Sequence, residues 1–369
     1  MRHRVRRVCA VVVLAHGLLH LIGPLAAAGV ETPLTRVPTV PEAVLWAVGM
    51  LAVAAAAAGL WRGASWYWWA CLAAAVVSQA AILTDWTDAA AGTPVNLLLV
   101  GCAVYGFAEQ GPRSFAARYR RSLRAYLAGP GPGRLVREGD LADLPACVAT
   151  HVRRSGAVGK PIPIGFEVCL AGRIRTAASG VWMPFTATQF NDYSAAPVRL
   201  FHLRGRARAI PMDVFHRLAH GRATMRVRVA SLVTVADAQG PEMDRAETVT
   251  LLNDICLFAP ALLLTVPVTW VEVTPDTAEV TYAHGSNTVS AVLTFDASGD
   301  LATFRSDDRA RSSADGKAFE RIRWSTPIDE YGEFGEHRAI RRGRGVWGGT
   351  ADTEEFTYID MTVLGVTYR

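Results

Sequence analysis

Two histidines, His16 and His20, stand four residues apart inside an apolar run, so a helix would present both on one face. Ionisable side chains in such a run are costly to insert and usually face a bundle interior or a polar cavity. Gln79 and Asn96, in two later apolar runs, could complete a polar cluster with them. Interhelical hydrogen bonding is the plain reading. A quinone, proton or metal site is the functional one, and the lack of His in the other runs argues against bis-histidine haem. The densest acidic cluster is Glu242, Asp244, Glu247, Asn253 and Asp254. Asp244 and Glu247 have the spacing of a capping box. Glu247 and Asp254, seven apart, share a helix stripe that could do acid–base work or bind a cation if it faces a cleft. His216 and His220 have metal-ligand spacing on an expected short helix, but no third ligand is identifiable. Asp307, Asp308 and Arg309 end a strand and either pair in a loop or anchor a ligand. These patterns assign no catalytic residue and no metal site, and they leave the cofactor unknown.

The elements that must carry these residues divide sharply. Apolar stretches cover Val8–Val30, Val40–Leu60, Trp66–Leu83 and Pro94–Ala108. A helix of about 20 apolar residues crosses a hydrocarbon core of about 30 Å, so four spans are expected in residues 1–110. Both chain ends and the second loop hold ten arginines near the spans, against Arg36 alone in the other two loops. That bias predicts cytoplasmic N- and C-termini and a multi-pass protein of the inner membrane. Ala26-Ala27-Ala28-Gly29 imitates a signal-peptide cleavage site, but the apolar run is long and three more follow. Residues 1–128 carry a net +6 and residues 129–369 a net −1, so the basic pI belongs to the membrane flanks and supports no nucleic-acid partner. Six scattered cysteines make neither a disulfide framework nor a CxxC site, which suits reduced thiols.

A basic segment and the breaker-rich run Gly129–Gly133 make residues 111–134 a linker to a β-rich soluble domain, 135–369. After a helix between Asp143 and Gly156 the pattern turns to period two. Expected strands are Gly165–Thr176, Val181–Phe190, Val198–Ala209, Ala223–Ala236, Val268–Thr274, Ala278–Ala283, Thr288–Phe295, Leu301–Ser306, Phe319–Ser325, Glu333–Ile340, Arg344–Trp347 and Phe356–Tyr368. One longer helix, Pro241 to Phe258, interrupts them and should pack on the sheet. The expected fold is a four-span helical bundle plus an α+β domain, whose large curved antiparallel sheet, half-barrel-like, is covered by one or two helices. Arginines alternate along several strands (Arg173 and Arg175; Arg204, Arg206 and Arg208; Arg226 and Arg228; Arg321 and Arg323), giving one wet cationic face.

The segments Gly240–Asp244, Glu247–Leu251, Asn253–Cys256, Ala259–Leu262, Ser306–Arg309, Trp324–Pro327 and Phe356–Tyr358 resemble an uncharacterised bacterial family of membrane-anchored β-rich proteins. His16-Gly17-Leu18-Leu19-His20 is similar to the four-span region in front of that domain in some members. Ala310 and Ala339-Ile340 depart from the family pattern, where an aromatic and a Pro are usual. The resemblance implies an architecture and no reaction.

Aromatics such as Trp182, Phe185 and Trp324 fall on the inner face, where a curved sheet closed by a helix often leaves an apolar cavity. That shape resembles the half-barrels that carry lipids and lipoproteins, an analogy of fold alone. The expected function is therefore a membrane-tethered module that binds a hydrophobic or lipid-like small molecule at the inner leaflet, with membrane lipids as partners. Its expected ligand-binding residues are Trp182, Phe185, Glu242, Asp244, Glu247, Asp254, Asp308, Arg309 and Trp324. One alternative is an enzyme using Glu247, Asp254 or Asp308, which requires two of them to converge in a pocket. Another is an accessory protein that binds a partner through its spans around His16 and His20.

Overall fold

The computed structural model describes residues 2–127, 131, 133–194, 196–208, 210–349 and 354–369. Ala128, Gly129, Pro130 and Pro132 of the expected linker, and Ala209 at the end of an expected strand, lie outside them. The chain forms two compact units, Met1–Ala117 and Arg118–Arg369.

The first unit holds α1 (Arg2–Leu19), α2 (Ile22–Ala27), α3 (Val40–Arg62), α4 (Tyr67–Thr84), α5 (Trp86–Ala89) and α6 (Thr93–Gln110); α7 (Phe115–Leu127) continues into the second unit. Among the described residues four helical stretches are long and apolar enough to cross a membrane: Arg4–Ala27, Val40–Arg62, Tyr67–Thr84 and Trp86–Leu127. Four crossings, an even number, return a chain to the side on which it starts. The first stretch is broken between α1 and α2. Pro24 has no N–H to offer the His20 carbonyl and its ring crowds that carbonyl, so the turn there tightens to His20 N–H on Gly17 O (3.1 Å). Small residues let the helices approach closely: a Cβ on Gly17 would stand 2.9 Å from Val53 Cγ1, and one on Gly23 2.8 Å from the Trp46 ring.

After the end of α7 the second unit holds α8 (Ala146–Arg154) and is otherwise mostly strand. In order these are β1 (Gly165–Ile174), β2 (Met183–Asp192), β3 (Val198–Ala207), β4 (Ile210–Ala219), β5 (Arg222–Val229) and β6 (Val233–Gln239). After α9 (Pro241–Phe258) come β7 (Val268–Thr274), β8 (Thr277–His284), β9 (Asn287–Phe295), β10 (Leu301–Ser306), β11 (Ala310–Ser312), β12 (Phe319–Arg321), β13 (Trp324–Phe334), β14 (His337–Trp347) and β15 (Phe356–Tyr368). Thirteen of them pair antiparallel in one sheet, in the order β6-β5-β4-β3-β2-β1-β15-β14-β13-β10-β9-β8-β7, and β11 pairs with β12 in a separate ribbon.

The curved half-barrel expected from the sequence is overturned by this topology: the sheet is open, neither curved round nor closed into a half-barrel. Closure requires the end strands to meet with a fixed stagger. Here, among the described residues, β6 pairs only with β5 and β7 only with β8. The outer side of β6 meets the turn of the β11–β12 ribbon instead, where Asp237 N–H donates to Asp315 O (3.2 Å). Other expectations also shift. His216 lies in β4 and His220 in the turn after it, at φ 53°, so the expected short helix does not form. The single strand expected over Ala223–Ala236 is two, split where Ala230 and Ser231 adopt positive φ.

Helix α9 is the centre of the unit. Gly240 turns the chain at φ 104°, Pro241 starts the helix without needing its missing N–H, and Pro260 follows its end. Nearly every residue from Met243 to Phe258 is buried, on all faces, as expected of a helix enclosed by its domain. The Asp244–Glu247 capping box does not form: Asp244 instead accepts the Ala223 backbone N–H at 2.5 Å, tying α9 to β5.

Asp300, in the β9–β10 turn, joins α8 to β14. Its carboxylate accepts two bonds of 2.8 Å from Arg154 and one of 2.6 Å from Arg338. Burial would raise its pKa, but these two arginines hold it well below the ordinary carboxylate value. A depressed folded pKa adds stability that is present above the unfolded value, about 3.9, and is lost as pH falls through the folded value. Asp300→Asn should therefore lower the unfolding free energy by about 1–3 kcal/mol at neutral pH, with the gap closing in acid. Denaturant titrations of both proteins at two pH values check this; a gap that ignores pH would contradict it.

Candidate functional site

In the second unit a cavity of about 780 Å³ lies between α9, the sheet and the β11–β12 ribbon. This is within the roughly 300–1,000 Å³ range of small-molecule sites. Its walls are mainly apolar: Phe185 from β2, Phe201 and Leu203 from β3, Met225 and Val227 from β5, and Trp324, Trp347 and Phe356 from β13 to β15. Period two puts these side chains on one face of their strands.

The same parity delivers a polar group into the apolar wall. Arg199 sits two and four residues before Phe201 and Leu203 and so shares their face, opposite Asn191 on β2. It is nearly fully buried. Its Nε donates to Asp254 Oδ2 (2.7 Å), Nη1 to Glu247 Oε2 (3.0 Å) and Nη2 to Gln189 Oε1 (3.1 Å). Asp254 Oδ2 also accepts from Gln189 Nε2 (2.9 Å) and Asn191 Nδ2 (3.0 Å). Asn191 in turn donates to Tyr193, whose hydroxyl donates to the Leu251 carbonyl of α9. His216 Nδ1 stands 3.4 Å from Glu247 Oε1. Burial would raise the Glu247 pKa, but Arg199, and after it His216, bring it below the ordinary value. At Asp254 burial is the stronger influence and lifts the pKa, against the pull of Arg199, Asn191 and Gln189.

Arg309 enters from the loop before β11. Its guanidinium lies over the Trp324 ring at 4.2 Å and the Trp347 ring at 5.2 Å. It donates to Thr250 Oγ1 (3.2 Å) and the Tyr358 hydroxyl (3.4 Å), which also accepts from Trp324 Nε1 (3.2 Å).

Of the nine ligand-binding residues expected from sequence, Phe185, Glu247, Asp254, Arg309 and Trp324 line this cavity, and Trp182, Glu242, Asp244 and Asp308 do not; Asn253 and His216, also singled out, line it as well. Trp182 is covered by Arg173 and Arg175, each 4.7 Å from its ring. Glu242 pairs with Arg321 (3.0 Å), while Asp308 pairs with Arg245 and accepts the Ser290 N–H. The wet arginines also find carboxylates: Arg173 with Asp360, Arg226 with Asp237 and Arg323 with Asp307. Sequence reasoning missed Arg199, Gln189, Asn191 and Tyr358. Strand parity separates Arg199 from the exposed Arg204 on β3, but only the pairing of the strands shows which of the two faces is inside. Among the described residues no three His, Cys, Asp or Glu side chains group so as to hold a metal ion.

In the first unit, His16 and His20 do come together, through a residue not foreseen. Both imidazole Nε2 atoms bond Ser78 Oγ, at 3.0 and 2.8 Å, and the two rings lie 5.1 Å apart. His20 also meets Trp46 edge-on at 5.5 Å. Asn96 donates to Gln79 Oε1 (2.9 Å), and Gln79 donates to Thr93 (3.3 Å). Ser78→Ala should cost about 1 kcal/mol in the detergent-solubilised protein. An unchanged unfolding midpoint would mean the serine is not what holds the two rings.

Residues 134–361 match the model of a family of unknown function, DUF6544, and the helical unit lies outside that match. No curated protein matches the sequence. Solved structures similar to the chain include two at low sequence identity. One is a Vibrio parahaemolyticus domain provisionally described as an outer membrane lipoprotein-sorting protein domain, with 8% identity, 56% of this chain and 85% of that chain covered, and a TM-score of 0.31. The other is a DUF1329 family protein from Desulfovibrio piger, with 10% identity, 61% and 93% covered, and a TM-score of 0.34. At these scores neither likeness bears on function.

Proposed function

The chain belongs to the DUF6544 family of unknown function, and from that premise we propose that it is a membrane-tethered module holding a hydrophobic, lipid-like molecule in the cavity beside α9. The cavity itself is the observation that carries this reading. It is large enough for a small molecule, its walls are apolar, and a few fixed polar groups converge on it. Chain continuity with four helices of membrane-spanning length supports a source in the bilayer. On the arginine bias of the loops, that source is the inner leaflet of the cytoplasmic membrane, with both termini cytoplasmic.

Phe185, Arg309 and Trp324 are the residues proposed to meet the ligand. The cationic sheet face contributes less than the sequence suggested, because its arginines are largely paired with carboxylates. An enzymatic reading would use Glu247 and Asp254, which do share the cavity. Both are bound to Arg199, however, and that guanidinium, with Gln189 and Asn191 on Asp254, occupies the oxygens a substrate would need.

Photolabelling tests the reading. The full chain in nanodiscs is exposed to a neutral alkyl diazirine and the labelled residues are mapped by mass spectrometry. Labels on cavity residues such as Leu203, Met225 and Met361 are expected. Labels confined to residues 1–117 would overturn the proposal.

A further inference from the structure

We propose, on the reading just given, that the cavity's ligand is an anionic amphiphile, and that the Arg309 guanidinium receives its carboxylate or phosphate head. The charged residues lining the cavity among the described residues are five arginines (175, 199, 206, 309 and 311) and two carboxylates, Glu247 and Asp254. Arg199 takes both carboxylates. Of the other four arginines, Arg311 has a carboxylate partner, Glu320, in a solvent-exposed pair at 3.0 Å. The cavity is thus apolar in shape and cationic in charge, which selects against neutral and cationic ligands.

Arg309 is the best placed of the four. Its charge is partly withdrawn from water, yet it rests on two indole faces and two long bonds to neutral hydroxyls, with no carboxylate bonded to it among the described residues. Stacking occupies the faces of a guanidinium and leaves its edge of N–H donors directed outward, the geometry that grips carboxylate and phosphate. One terminal nitrogen of Arg309 has no acceptor among the described residues. The row continues: Trp347 is paired in register with Phe356, and the Phe356 ring carries Arg175 at 6.0 Å and Arg311 at 5.8 Å. These cations raise the local potential on the same wall. Phe201, Leu203 and Met225, contributed by β3 and β5, offer an apolar wall for a tail.

The test is competition against the photolabelling of the full chain in nanodiscs of zwitterionic lipid. Palmitate, hexadecyl phosphate, hexadecanol, hexadecyltrimethylammonium and inorganic phosphate are compared on wild type, Arg309→Met and Arg309→Lys. Palmitate or hexadecyl phosphate should suppress cavity labelling at a concentration about 10- to 100-fold below hexadecanol, and the better of the two identifies the head. Arg309→Met should bring both anions to the level of hexadecanol, while Arg309→Lys keeps part of the preference. Unfolding midpoints of the variants separate lost recognition from lost fold, and the wild-type ranking stands without them. Equal competition by anion and alcohol, or by the ammonium, overturns the anionic head and leaves the apolar-ligand reading intact. A preference that survives Arg309→Met in a folded protein overturns the role of Arg309. Inorganic phosphate as effective as hexadecyl phosphate overturns the amphiphile. Absence of any cavity labelling defeats the underlying reading instead.

Discussion

Replacing Arg199 with Leu is expected to lower the unfolding free energy of the second unit by about 3–5 kcal/mol, the cost of leaving buried charge without its partner. Glu247 and Asp254 are both nearly inaccessible and both depend on this one guanidinium. Burial works against the charge of Arg199, but Asp254 and Glu247 more than restore it, so the group stays protonated throughout the accessible pH range. Once it is removed, desolvation should raise both carboxylate pKa values, and the variant's native state should bind protons that its unfolded state does not. The deficit should therefore shrink as pH falls toward the unfolded carboxylate values of about 4. Denaturant unfolding of the full chain at neutral and acidic pH measures this. A triple variant, Arg199→Met, Glu247→Met and Asp254→Leu, should recover much of the loss, because an apolar replacement removes the stranded charges as well. A single-variant loss below about 1 kcal/mol would show that water reaches the pair.

Trp324→Ala should be similarly costly, about 3–5 kcal/mol, because a large buried ring is lost and its surroundings refill only part of the space. The indole is 3% exposed, meets Phe304 edge-on at 6.0 Å and donates to the Tyr358 hydroxyl. It is also the nearer of the two faces under Arg309, so its removal should loosen that guanidinium. Trp324→Phe keeps a ring and most of the volume, and should cost well under half as much. Unfolding titrations of the two variants distinguish the effects. Equal losses would mean that the indole N–H, and not the ring volume, is what matters.

What was legible in the sequence follows from how local each signal is. Apolar runs long enough to span a bilayer need no partner to be recognised, and all four correspond to helical stretches of spanning length. The bounds of α9 were equally readable, because Pro241 and Pro260 bracket it and Val249, Leu252 and Cys256 recur within it at helical spacing. The break at His20 was also local, four residues before Pro24, but a continuous apolar run masks it. Strand β4 was harder: Ile210–Ala219 mixes Pro211, Asp213, His216 and Arg217 among its apolar residues, since part of its inner face meets a polar network. Whether the sheet closes depends on how its end strands meet, and nothing local records that β6 lies against the turn of the β11–β12 ribbon. The Arg199–Glu247–Asp254 cluster joins residues about fifty positions apart. Its two acids were visible as a helix stripe, but their counter-ion lies on a strand whose parity only the sheet makes plain.

The cavity beside α9 is proposed to hold an apolar molecule. Native mass spectrometry of the full chain, released from nanodiscs made with its host's own lipids, tests this most directly when wild type is compared with Met225→Trp, which puts bulk into the cavity wall. Wild type should retain an apolar adduct that the folded variant lacks. No adduct on wild type, or the same adducts on both proteins, would contradict the claim.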